Sequence, residues 1–463
     1  MADRGSFSGR VGFILAAAGS AVGLGNIWRF PYLAGQNGGA IFLLIYLICV
    51  FLLCYPIMVG EIAIGRNTQS DAYGSYKKLG GTGWGFLGIF GIFAGIFILS
   101  FYNVVAGWAF GYFLEISFGD LLSAGDFGAF FGNYINDISD NFWFSLAFMV
   151  LTALIVSQGI QKGIEAANKI MMPLLYIILI GLIIYSLTLP NAMQGVIFYL
   201  VPDFSELKAQ TVFDGLRQAF FSLSLGMGAL ITYGSYLDKK QNIVSSAAII
   251  SLADTSVAFL AGLMVFPMVA ALNAYDVSGP SLIFVVLAKV FSNMDPLVGR
   301  FVGGSFFLLI CFAALTSTIS LLEVPAAYFV DQKKWSRKVV VWGMALLIFI
   351  LGIPSMVSQG MVPALNKLPF YQGRDFLTFV ADMCDISLTL GGCLMSIFIV
   401  RKWSLKSMDE ELALGNEHYM KSYTRTFLSV VMRYISPWLL GILTILIIVE
   451  KFFGLGVLFP GWE

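Results

Sequence analysis

Apolar stretches of about twenty residues recur along the whole chain, and that recurrence constrains its fold more than any motif does. A helix of roughly that length crosses the hydrocarbon core of a bilayer. In lipid every backbone polar group must be satisfied within its own segment, which leaves helices as the solution for such runs. The pattern predicts spans at 11–35, 40–65, 84–117, 143–158, 166–189, 212–237, 242–271, 297–330, 338–353, 375–400 and 426–455. Composition agrees: charged residues make up 12% of the chain, about half of what a soluble domain carries. An all-α integral membrane protein is expected.

The first apolar run, from Val11, already holds unusual residues and reads as mature protein rather than a cleaved leader. Cys49, Cys54, Cys311, Cys384 and Cys393 lie in apolar segments without a C-x-x-C spacing, and read as small core hydrophobes. The single histidine, His418, excludes histidine-based triads and multi-histidine metal sites. No nucleophile–base pair is visible, so an enzyme is not expected, and nothing points to nucleic acid.

Charge between the spans gives an orientation, because cytoplasmic loops retain Lys and Arg. Arg4, Arg10, Lys77, Lys78, Lys239, Lys240, Lys333, Lys334 and Arg401 fall on the side of the N-terminus. The opposite side holds only Lys208, Lys289, Arg300, Lys367, Arg374 and Lys451. The segment 119–141 carries Asp120, Asp126, Asp137 and Asp140 with no basic residue. The N-terminus is expected in the cytoplasm and the C-terminus outside.

Two spans are interrupted by glycine at mid-depth. The first contains Gly19, Gly23 and Gly25, followed by Asn26 and Arg29; the sixth contains Gly226 and Gly228. Glycine favours irregular backbone, and such backbone survives in a membrane only where it lines a cavity or binds something. Interruptions in spans one and six divide the chain into two halves of five, the second inverted, as in secondary transporters whose sites lie where the broken helices meet. Close packing of small residues accounts for the Gly19–Gly23 spacing but leaves Asn26 and Arg29 unexplained.

Polar groups at membrane depth are costly and mark function. Asp254 falls mid-span, Asn26 follows the first break, and Thr316, Ser317, Thr318 and Ser320 form a hydroxyl cluster. Oxygen ligands without thiolate or imidazole suit a small hard cation such as sodium. Arg29 and Asp385 lie near outer span ends and form a candidate external gate; Arg4 and Asp331 are the candidate internal pair. Glu61 and Glu323 are deeper carboxylates whose partners the sequence does not assign.

The stretch from Gly19 to Pro31, with Asn37-Gly38-Gly39 and the Leu315-Thr316-Ser317 cluster, resembles the neurotransmitter:sodium symporter family over nearly the whole chain. The resemblance implies the LeuT fold: a 5+5 inverted repeat with broken helices 1 and 6, repeats over 1–190 and 205–402, and an eleventh helix at 425–455. It implies two sodium sites. One would use the Ala21 carbonyl, Asn26, Ser222, Asp254 and the substrate carboxylate. The other would use the carbonyls of Gly19, Val22 and Ala313 and the hydroxyls of Thr316 and Ser317. Chloride-dependent relatives hold an anion near positions matching Tyr46, Gln218 and Ser222. Here Asp254 would supply a fixed charge and Ala258 replaces a serine that would help hold chloride, so no chloride requirement is expected.

By the same resemblance, Gly23 stands where monoamine carriers place an aspartate, so the substrate should bring its own carboxylate to Leu24, Gly25 and Tyr102. Its amine would meet carbonyls around Ala21, Phe221 and Ser224. Ile98, Tyr102, Phe221, Met227, Ser317 and Leu321 would line the side-chain pocket, with Phe221 as a cap. This implies an importer of leucine, methionine, tyrosine or tryptophan in a bacterial inner membrane, as a monomer or weak dimer. Small amino acids such as alanine or glycine are the alternative, and a non-transporting amino-acid sensor a more distant one. Gly163 and Pro173, bracketing the start of span five, would let its inner end unwind.

Overall fold

The computed structural model describes residues 5–272 and 279–454, and every regular element among them is helical. The chain opens with a bent pair, α1 (Arg10–Ala21) and α2 (Gly25–Gln36), meeting at 52°. Four long helices follow: α3 (Ala40–Thr68), α4 (Thr82–Phe118), α5 (Ile138–Ser157) and α6 (Ile160–Ser186). After a short connecting helix over Ala192–Leu200 come α7 (Ala209–Ser222) and α8 (Ala229–Gly234). The remaining long helices are α9 (Ile243–Leu272), α10 (Pro296–Lys333), α11 (Arg337–Val357), α12 (Phe376–Trp403) and α13 (Tyr423–Phe453).

Among the described residues nine helices are long and apolar enough to span a membrane, or ten with the α1–α2 pair as one. The sixth expected span falls outside that count because it is divided: α7 and α8 are each short of the roughly 20 residues a crossing requires, and residues 223–228 between them are not helical.

The reason for that second break is local. Ser224, Gly226 and Gly228 all have positive φ, at 54°, 86° and 78°, which no helix of L-residues accommodates. Gly226 also lies hard against α12, where a Cβ would sit 2.1 Å from the Leu388 carbonyl oxygen. Its amide, which has no helical acceptor, donates to Glu61 Oε1 on α3 at 2.7 Å. A buried carboxylate thus replaces the missing turn. Glu323 is held by the Tyr236 hydroxyl at 2.7 Å and by the Arg337 guanidinium.

Two helix starts lie well before the hydropathy reading. α5 starts at Ile138 rather than 143, with Asp137 capping the amides of Ser139 and Asp140. α6 starts at Ile160 rather than 166, through a π-helical turn over Ile160–Glu165. The polar residues Gln161, Lys162 and Glu165 conceal that turn from an apolarity criterion. Gly163 therefore lies inside the helix with Pro173, instead of marking its approach. α4 and α10 pack against one another along much of their length, and α1 is set between α9, α10 and α6. That arrangement brings both breaks to the middle of the bundle.

Candidate functional site

At the first break the chain is held by side chains rather than by helical bonds. Asn26 Oδ1 accepts from the Gly23 amide at 2.9 Å, and the Tyr102 hydroxyl accepts from the Leu24 amide at 2.9 Å. Asn26 Nδ2 reaches across to α7 and α9, donating to Ser222 Oγ at 3.0 Å and to Asp254 Oδ1 at 2.7 Å. Ser222 Oγ donates to the Asp254 carboxylate at 2.9 Å, and the Tyr46 hydroxyl donates to Asp254 Oδ2 at 3.1 Å. Asp254 is fully buried, so a carboxylate at this depth depends on those three donors. The three side chains expected around the first cation, Asn26, Ser222 and Asp254, lie together here, with Gln218 Nε2 donating to the Gly25 carbonyl at 2.8 Å.

On the opposite side of α1 a second group of oxygens gathers, without any formal charge. Thr316 Oγ1 donates to the Val22 carbonyl at 3.2 Å and faces the Ala313 carbonyl at 3.0 Å. Ser317 Oγ lies 3.3 Å from the Val22 oxygen and 3.4 Å from that of Ser20. The carbonyls freed by the break are thus bridged to hydroxyls of α10, which is the chemistry of a weak hard-cation site.

Between the two lies a cavity lined by Ala21, Gly23, Gly25, Ile98, Tyr102, Phe221, Ser222, Ser224, Met227, Ser317, Leu321 and Leu388. Its far wall is apolar; its near wall is broken backbone. Gly23 must stay bare, because a Cβ there would sit 2.5 Å from Ser317 Oγ and 2.7 Å from the Tyr102 hydroxyl. Leu388 completes the wall, and the sequence reading did not include it. Its neighbour Gly226 supplies a signal only after the fold is known.

The cavity is closed towards the side expected to be external. Arg29 makes a two-pronged pair with Asp385, at 3.0 and 2.5 Å, and its guanidinium lies 4.4 Å over the Phe221 ring. Arg217 adds a second cation, 3.8 Å from Asp385 and 3.1 Å from Asp214. The sequence reading missed Arg217, which stands inside an apolar span and was its own signal. On the opposite side, Arg4 lies outside the described residues. Asp331 Oδ2 accepts from the Asp71 amide at 2.9 Å, and Phe7 packs its ring on Phe13, Tyr233 and Tyr236.

The chain as a whole has close relatives. The model of the sodium:neurotransmitter symporter family matches residues 4–126 and 130–462. A sodium-dependent transporter of Bacillus subtilis, YhdH, is 40% identical over 415 residues, covering 89% of this chain and 90% of its own. The sodium-dependent dopamine transporter of Caenorhabditis elegans is 27% identical over 452 residues, covering 82% of this chain and 72% of its own. The crystal structure of MhsT in complex with L-phenylalanine superposes with a TM-score of 0.87 at 42% identity, covering 96% of this chain and 99% of that one. It shares the LeuT fold. The chain is a membrane transporter and not an enzyme, and it belongs to the sodium:neurotransmitter symporter family.

Proposed function

We propose that this sodium-dependent symporter imports hydrophobic and aromatic amino acids, with two sodium ions and without chloride. The observation that carries the reading is the closed cavity where the two breaks meet, apolar along Ile98, Met227, Leu321 and Leu388 and polar along Gly23–Gly25. The phenylalanine held by MhsT, at 42% identity, supports an aromatic cargo. A substrate carboxylate would take the free amide at Gly25 and, with Tyr102 turning towards it, the amide at Leu24; half-helix N-termini favour anions there. An unbranched, polarizable Met227 suits side chains of several shapes.

The first sodium would sit among Ala21, Asn26, Ser222 and Asp254, completed by that carboxylate. Each ligand then raises the affinity for the other, and this is the coupling. The second would sit among Gly19, Val22, Ala313, Thr316 and Ser317. α7 and α8 together would form one divided span, giving eleven, with the N-terminus in the cytoplasm of a bacterial cell. Opening of Arg29–Asp385 would admit substrate. Unwinding of α6 between Gly163 and Pro173 and release of Arg4–Asp331 would free the second sodium inward. The inward step gains about 2.3 kcal/mol per charge for each 100 mV of membrane potential.

The test is uptake of labelled phenylalanine, leucine, tyrosine and tryptophan into proteoliposomes under an inward sodium gradient, with chloride replaced by gluconate. Sodium-dependent uptake that survives in gluconate is expected. Uptake lost with chloride overturns the role given to Asp254, and uptake of alanine or glycine alone overturns the substrate class.

A further inference from the structure

Asn168 lies on α6 between Gly163 and Pro173, fully buried, and none of the elements discussed so far employs it. Its Nδ2 donates to the Ile164 carbonyl one turn back at 2.8 Å. That bond fixes which way the amide faces, since an oxygen turned to the same carbonyl would be repelled. Oδ1 is left pointing at α1 with no hydrogen-bond partner among the described residues. It lies against Gly19: a Cβ on that glycine would be 2.0 Å from Asn168 Oδ1 and 3.3 Å from the Thr316 Cβ. Gly19 and Thr316 belong to the second cation region. A buried amide oxygen without a donor is rare in folded proteins and asks for a cation, a donor or a water.

We propose that Asn168 is a further residue of the second sodium site, its side-chain oxygen receiving the ion on the inward side. This rests on the two-sodium reading above. The chemistry matches that of the site: neutral oxygen, no formal charge, and a place hard against Gly19 beside Thr316. Its attachment makes it more than a passive neighbour. Asn168 is tied through Nδ2 to Ile164, which lies in the π-helical turn Ile160–Glu165, and such turns concentrate at functional sites. That turn is itself pinned from the N-terminal segment, where the Ser8 amide donates to Glu165 Oε2 at 2.8 Å. Unwinding the turn breaks the Asn168–Ile164 bond and frees the amide to turn with the departing ion. Sodium release and opening of the inner end of α6 are thereby linked through one side chain.

The full-length protein in detergent, with Asn168→Leu, Asn168→Asp and Thr316→Val, tests this by binding of radiolabelled sodium and by sodium-dependent thermal stabilisation against a potassium reference. Asn168→Leu keeps the volume and removes the oxygen, and is expected to weaken sodium binding about tenfold, as loss of supporting groups at metal sites does. Asn168→Asp keeps the oxygen and loses the Nδ2 bond, and is expected to bind sodium at least as tightly as the native protein. Equal weakening in both variants, or none in either, overturns the proposal. If Thr316→Val leaves sodium binding unchanged, or the native protein shows no sodium response, the second site itself is refuted, which separates that failure from a failure of Asn168 alone.

Discussion

The two oxygen-lined regions on either side of α1, proposed to hold the two sodium ions, are built on different principles. The first is organised by a charge: Asp254 is buried and gathers Asn26, Ser222 and Tyr46 as donors, each from a different helix. The second has only dipoles, and its hydroxyls already occupy the freed carbonyls of Val22 and Ser20 and the Ala313 carbonyl of their own helix. In the first, a cation adds to an arrangement that carries excess negative charge. In the second, hydroxyl hydrogens stand where a cation would, and must turn away when it arrives. A difference in strength follows: the first region is poised for an ion and the second is self-satisfied without one. On the two-sodium proposal, the second is therefore the one suited to releasing its ion.

The most damaging change to that contrast is Asp254→Asn, which keeps the shape and removes the charge. A hydrogen bond to a charged group contributes about 1.5–3 kcal/mol, so sodium affinity in gluconate should fall about 10- to 150-fold. Sodium-driven uptake in gluconate checks it, and added chloride should restore part of the loss. An unchanged sodium dependence would mean that the charge is not what organises the first region. Gly23→Ala comes next. Its methyl meets Ser317 and Tyr102 well inside contact distance, and overpacking of this kind costs about 1–3 kcal/mol. Equilibrium binding of phenylalanine should weaken by about tenfold, because both polar side chains must move from the cavity wall.

Thr316→Val is milder and acts on the other region. It removes one neutral hydroxyl, worth about 1 kcal/mol, and should raise the sodium concentration for half-maximal uptake about fivefold. Thr316 Oγ1 also lies 3.1 Å from its own helical Phe312 carbonyl, an ordinary back-bonding arrangement for threonine. A sodium dependence unmoved by the valine would assign the hydroxyl to that local role and refute the second site.

Much of this contrast was legible in the sequence, for a physical reason. Glycine at mid-depth and an aspartate within an apolar run are both expensive, so each announces itself without knowledge of the fold. Arg29 and Asp385, near span ends, stood out as a candidate pair in the same way, and they meet. What the sequence hid are partnerships that need three dimensions. Glu61 is conspicuous, yet its partner is the backbone amide of Gly226, and amides carry no sequence signal. Asn168 is a polar residue among others at a helix start, and only its unpartnered oxygen against Gly19 sets it apart. The start of α6 was misjudged because a π-helical turn with Lys and Glu looks like a loop to a hydropathy reading.

The smallest change, Tyr46→Phe, sharpens the comparison most. The Tyr46 ring packs on Phe30 with centroids 4.9 Å apart, and phenylalanine keeps that contact. Only the hydroxyl is lost, and Asp254 retains Asn26 and Ser222. No bond from Tyr46 reaches the hydroxyls of α10, so sodium binding at the second region should be untouched. The loss of one donor of three corresponds to about 0.5–1 kcal/mol, or about a two- to fivefold rise in the sodium concentration for half-maximal uptake. An effect as large as that of Asp254→Asn would show that the phenol, not the carboxylate charge, holds the first region together. An effect of this modest size, with thermal stability preserved, would place the weight on Asp254 and make the contrast between a charged and a neutral site the basis of sodium coupling here.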